Sequence, residues 1–224
     1  MIRAVVFGIG ECVIDQTREF AGWADWLGVP RHTFAAQFGA LVAQGRDHHE
    51  TFQVFRPGFD MEEERAKREA CGEAEWYGEN DLYPDVRLAW KELRQAGLFL
   101  GVAGNHTARI GRVLRTMFSS HVHLTATSGE WGVEKPDPAF FERLVSRIGG
   151  QLGAAPHEIL YVGDRLDHDI RPAAALGLRT ALVVRGPWGV IHQHHPDAHL
   201  LPTMRITSLR QLIGNVHDVN DAEL

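Results

Sequence analysis

The sequence predicts an α/β protein with an open parallel sheet. Short β-branched runs recur along the chain, amphipathic helical patterns separate them, and one long interval interrupts the alternation after the first run. The runs cover residues 4–9, 98–103, 123–126, 159–163 and 180–184, each bounded by glycine or polar residues as strands are. Residues 85–96 (DVRLAWKELRQA), 108–118 and 138–148 place apolar residues three and four apart between those runs, the pattern of crossover helices. Residues 205–213 read as a last short strand followed by a helix capped at Ser208, and fraying is expected after Val216.

The first and second runs lie almost ninety residues apart, far more than a crossover needs, and a structureless connection of that length does not suit a compact domain. An inserted helical subdomain is therefore expected over 16–84. Its helices would be 18–27, 31–44 and 61–71, with the aromatic-rich stretch 51–59 placed to cover a cleft. The core would then comprise 1–15 and 85–216, leaving 217–224 as a tail.

With 224 residues and 44% hydrophobic content, the chain can bury a full core. The 23 basic and 29 acidic residues give a net charge of −6 without a basic run, which argues against a nucleic-acid partner. No apolar run approaches the roughly 20 residues of a bilayer span, so no membrane partner is expected. Two cysteines and an opening that runs straight into an apolar strand, without a leader pattern, lead us to expect a cytoplasmic location.

In open α/β sheets, ligands bind beyond the carboxyl ends of the strands, so the residues that follow each strand carry the chemistry. Four such segments stand out: FGIGECVID at 7–15, GVAGNHT at 101–107, GVEKPDP at 132–138, and ILYVGDRLDHDI at 159–170. Their order and placement resemble the four motifs of the haloacid dehalogenase (HAD) superfamily across about the whole chain. The resemblance implies a Rossmann-like three-layer parallel-sheet HAD core with an inserted helical cap that helps select substrate. The implied chemistry is Mg²⁺-dependent hydrolysis of a small phosphorylated metabolite or binding of another small anion. In that alignment Lys135 stabilises charge, Asn105 orients phosphate, and Asp164 and Asp169 hold Mg²⁺ through hard carboxylate oxygens.

The first two motifs depart from the family pattern. Gly8 stands at the nucleophile position of DxDGT, Gly10 at the general acid/base position, Cys12 at the Thr position, and Gly104 where Ser or Thr bonds the phosphoryl group. Glycine has no side chain to attack with, and losing a nucleophile costs on the order of a millionfold in other hydrolases. One carboxylate also leaves the metal site, so Mg²⁺ affinity should fall. Two readings follow: a hydrolase with little or no ordinary phosphatase activity, or an inactive pseudo-hydrolase that binds a small anion or a partner.

Other residues carry alternatives. Glu11 either reaches a metal or bound water or is a solvated loop carboxylate, and Cys12 is either a stabilised thiolate or a small packed side chain. His192, His194, His195 and His199 form a metal cluster or a solvated loop. Arg46, Asp47, His48 and His49 face substrate or form a solvated helix end, and Trp23, Trp26, Phe34 and Phe38 read as the core of the insertion.

Overall fold

Six parallel strands make one sheet in the computed structural model, which describes residues 1–222. They are β1 (Ala4–Phe7), β2 (Phe99–Gly104), β3 (Leu124–Thr127), β4 (Ile159–Gly163), β5 (Arg179–Val183) and β6 (Met204–Ile206), in the order β3-β2-β1-β4-β5-β6. Ala4 of β1 faces Phe99 on one side and Ile159 on the other. Helices cover both faces, so every residue of β1, β2 and β4 is buried. Continuous apolar runs, rather than alternation, are what such strands require.

From β1 the chain order runs outward both ways, so the ends of β1 and β4 flank a topological switch point, where ligands bind in open sheets. The crossover helices Val86–Gln95, Ala108–Phe118 and Pro138–Leu152 match the sequence expectation, and the last extends beyond it. Their starts are specified locally. Thr107 Oγ1 accepts from the Ile110 N–H at 3.3 Å, and Asp137 accepts from Ala139 at 2.9 Å with Pro138 in the first turn. Phe140, Phe141, Leu144 and Ile148 then pack with Val6, Ala103 and Tyr161.

One expectation is corrected. The final helix continues through Asp221 instead of fraying after Val216, because Leu212 and Val216 are buried and the Asn220 amide engages both backbone groups of Ile2. Residues 217–221 are therefore helix rather than tail, while 223 and 224 lie outside the described residues. In the stretch 51–59, Phe52 and Phe59 are buried and stacked 4.8 Å apart, with Trp23 and Phe34 packed edge-on to Phe52.

The chain separates into two units, Met1–Asp15 with Gly78 onward, and Gln16–Tyr77. The second is all helical, with helices Thr17–Leu27, Arg31–Ala43, Glu50–Phe55 and Met61–Ala70. Its aromatic centre is bordered by buried Glu64, which accepts from Trp26 Nε1 at 2.7 Å and from Arg56 at 2.9 Å. Among the described residues, no helix is long and apolar enough to cross a membrane.

Trp90 is fully buried on the helix after the insertion, edge-on to Phe118 at 4.9 Å and 6.0 Å from Phe7. Trp90→Ala should cost about 3–5 kcal/mol, read as a lower denaturant midpoint at unchanged slope.

Candidate functional site

β1 ends in a tight turn that begins at Gly8. The Gly8 N–H extends the parallel pairing by donating to Val162 O at 2.8 Å, and Val13 and Ile14 both return to Ile9 O, at 3.0 and 2.9 Å. A Cβ placed on Gly8 would lie 3.4 Å from Cys12 Cβ, 3.5 Å from Val162 O and 3.7 Å from Tyr161 Oη. These are ordinary contacts, so position 8 has room for a side chain. Gly104, at the end of β2, differs: a Cβ there would lie 3.1 Å from Ile9 N and 3.2 Å from its Cγ1. Buried Ile9 already fills the space that a residue-104 side chain would enter.

The position-8 space borders a buried polar chain. Tyr161 donates its hydroxyl to Ala103 O at 2.9 Å and receives the Lys135 ammonium at 3.1 Å, and Lys135 also donates to Asp169 Oδ1. Asp169 Oδ2 accepts the Arg165 N–H at 3.0 Å. Burial works against the Lys135 charge, but Asp169 and Tyr161 outweigh it and hold its pKa above the ordinary lysine range. Only glycine fits at 163, because a Cβ there would fall 2.4 Å from Asp169 Cγ.

Asn105 supports Lys135 through its backbone. Its Nδ2 donates to Lys135 O and its Oδ1 accepts from Lys135 N, both at 2.8 Å, so the side-chain amide of Asn105 braces the lysine loop.

Asp164 is buried, and its Oδ2 has no hydrogen-bond partner among the described residues. Burial first, then the charges of Asp169 and Glu11, push its carboxyl well above the usual range. An unpartnered buried carboxylate oxygen suits a cation, yet few further side-chain oxygens join it. Both Asp169 oxygens are engaged, position 8 offers none, and among the described residues no group of three acidic, His or Cys side chains converges at the strand ends. Magnesium prefers an octahedral shell of oxygens. The residues present do not fit a resident magnesium centre.

Glu11 occupies the glycine position of DxDGT and adopts the left-handed φ of 52° that this turn demands, a conformation costly for a side chain. It is buried rather than solvated, and Tyr83 donates to its Oε2 at 2.5 Å. Gly186 makes the space: a Cβ there would sit 2.5 Å from Glu11 Oε2. The Cys12 thiol donates to Val162 O at 3.3 Å, and burial pushes its pKa far up, so it packs as an inert side chain.

Arg185 ties this turn to the sheet. It donates to Cys12 O at 2.6 Å and to Asp85 Oδ1 at 2.9 Å, with its guanidinium 4.1 Å over the Tyr83 ring. Burial opposes ionisation of Asp85, but hydrogen bonds from Arg185, Ser208 and Leu209 outweigh it and hold its carboxyl below the ordinary range. Sequence reasoning missed Tyr83, Tyr161, Asp85 and Arg185. The period-two alternation of β4 could have found Tyr161, which shares a face with Gly163. The contacts of Tyr83 and Arg185 are long-range and leave no local signal.

The candidate histidines of the C-terminal region do not converge on one point among the described residues. His195 accepts from the Asp197 N–H at 3.1 Å, and His199 lies against Arg205. Arg46 is paired with Glu50.

Known proteins resemble this chain. A family model described as haloacid dehalogenase-like hydrolase matches residues 2–177. The chain is 34% identical over 139 residues to the glyceraldehyde 3-phosphate phosphatase of Methanopyrus kandleri, covering 61% of this chain and 57% of that one. It is 32% identical over 133 residues to a phosphoserine phosphatase of Thermus thermophilus, covering 58% of this chain and 49% of that protein. The chain thus spans about half the length of the curated relatives it matches. The 2-haloacid dehalogenase of Pseudomonas syringae superposes with a TM-score of 0.60 at 22% identity, over 97% of this chain and 99% of that structure, which is a likeness of fold.

The two glycines should respond differently to a methyl group. Gly8→Ala should change stability by less than about 1 kcal/mol, whereas Gly104→Ala should cost about 1–3 kcal/mol by displacing Ile9, both read from chemical denaturation. The lowered pKa of Asp85 makes its contribution present above the ordinary aspartate range and lost as pH falls through the folded value. Asp85→Asn should therefore lose about 1–3 kcal/mol at neutral pH, and its Tm deficit against the parent should shrink below about pH 4.

Proposed function

Since the chain belongs to the haloacid dehalogenase-like hydrolase family, we propose that it is a phosphatase-type member without ordinary phosphatase turnover, which uses its strand-end pocket to hold a small anion. The observation that carries this reading is the neighbourhood of Gly8. Position 8 has no side chain, and the nearest candidate substitute, Cys12, is buried with its thiol engaged and its pKa raised. Covalent transfer of a phosphoryl group needs an attacking atom at that point.

The rest of the pocket supports ligand retention. Lys135 has three N–H groups, two of which serve Asp169 and Tyr161, so a third remains for an anion. In this reading Lys135 contacts the ligand, Asn105 positions Lys135, and the helical unit Gln16–Tyr77 acts as the cap. The phosphatase names of the relatives favour a small phosphorylated metabolite as the ligand class. Asp164 could attract Mg²⁺ only weakly, as one carboxylate oxygen among waters.

A second reading rests on Glu11. Its buried carboxylate in a strained conformation beside the motif is the kind of feature that accompanies function, here activation of a water in place of the missing nucleophile.

Hydrolysis of p-nitrophenyl phosphate, with Mg²⁺ supplied, separates the two. We expect no turnover above background from the parent at high protein concentration, and a gain of about tenfold or more over that background in Gly8→Asp. Parental turnover comparable to Gly8→Asp, abolished by Glu11→Gln, would refute the first reading in favour of the second.

A further inference from the structure

The helical unit carries its own group of titratable side chains. Residues 44–49 connect helix Arg31–Ala43 to helix Glu50–Phe55, and the turn folds back through the Arg46 N–H to Leu41 O at 3.0 Å. Asp47 then opens the next helix: its carbonyl accepts from Glu50 N at 3.0 Å, and its Oδ1 accepts from His49 N at 2.9 Å. This geometry aims both following imidazoles at one carboxylate oxygen. His48 Nδ1 lies 3.3 Å from Asp47 Oδ1, and His49 Nδ1 lies 2.9 Å from it.

We propose that Asp47, His48 and His49 form a binding site for a divalent transition-metal cation of the zinc class. One donor atom from each residue lies within 4.8 Å of the other two, the only such group of three among the described residues. Ligands about 2.0–2.1 Å from a tetrahedral zinc stand roughly 3.3 Å apart. The spacings of 3.3 and 2.9 Å are close to that edge, so a cation could seat with small side-chain movements.

Two imidazoles and a carboxylate select Zn²⁺, Co²⁺, Ni²⁺ or Cu²⁺ over Mg²⁺, which prefers oxygen alone. His48 is held in place: its ring packs edge-on against Phe38 at 5.4 Å and Phe20 at 6.2 Å, with 16% of the side chain exposed. His49 is 52% exposed, so the site opens to water, which would supply the remaining ligands. A bound cation would clamp the junction between the two helices.

The test uses the full chain without an affinity tag, stripped with chelator and titrated with Co²⁺ and Zn²⁺. One equivalent of Co²⁺ should bind with visible ligand-field absorption, and Zn²⁺ should displace it. Asp47→Asn and His49→Ala, both at exposed positions where folding is secure, should each weaken binding by about tenfold or more. His48→Ala should do the same if circular dichroism confirms its fold, and the double variant His194→Ala with His195→Ala should bind as the parent does. Absence of Co²⁺ absorption up to about 1 mM, retention of parental affinity in Asp47→Asn and His49→Ala, or loss of binding in the His194/His195 variant would each overturn the proposal. In the first two outcomes the group is only a hydrogen-bonded helix start, and in the third the metal sits elsewhere.

Discussion

The buried pair between Lys135 and Asp169 is the interaction around which the strand ends are arranged. An ammonium and a carboxylate taken out of water need near-complete hydrogen bonding, because removing one partner of such a pair costs about 3–5 kcal/mol. The chain meets that need from four directions. Tyr161 on β4 accepts from the ammonium, Arg165 N donates to the second carboxylate oxygen, Asn105 after β2 fixes the lysine backbone, and Gly163 gives the carboxylate room to approach. The lysine loop and the ends of β2 and β4 are thereby locked to one another, independently of any ligand.

That lock does not depend on a side chain at position 8. The nucleophile position lies beside the chain of polar groups but is no member of it, since Gly8 contributes only its backbone to Val162. Position 104 is tighter. At Gly104 the neighbouring Ile9 fills the space, so a side chain there means repacking the first motif, whereas a Cβ at position 8 meets only ordinary contacts. The two glycines look equivalent in the sequence and are physically distinct in the fold.

Much of the architecture was legible because it is written in local pattern. Continuous apolar runs marked the buried parallel strands, and Ser208 marked the turn start that its hydroxyl makes by accepting from Arg210 N. The four strand-end segments likewise announced Lys135, Asp164 and Asp169 by spacing. What stayed hidden depends on contacts between distant positions. Asn220 secures Ile2 across the chain and extends the last helix, Phe52 and Phe59 turn inward because Trp23 and Phe34 await them, and Asn105 turns toward the lysine backbone. Asp169 carried a metal-ligand expectation from its motif, but its engagement with Lys135 and Arg165 emerges only in three dimensions.

Glu11 and Gly186 lie far apart along the chain yet share one small volume, the carboxylate of the first filling what would be the side-chain space of the second. Their substitutions are consequently ordered. Position 186 cannot acquire even a methyl group while glutamate stands at 11, but once residue 11 shrinks, the left-handed φ of 64° at 186 becomes its only remaining constraint. A mutational path that begins at 186 meets a steric barrier, and the same path begun at 11 passes through a merely underpacked intermediate, so the pair should show sign-dependent epistasis.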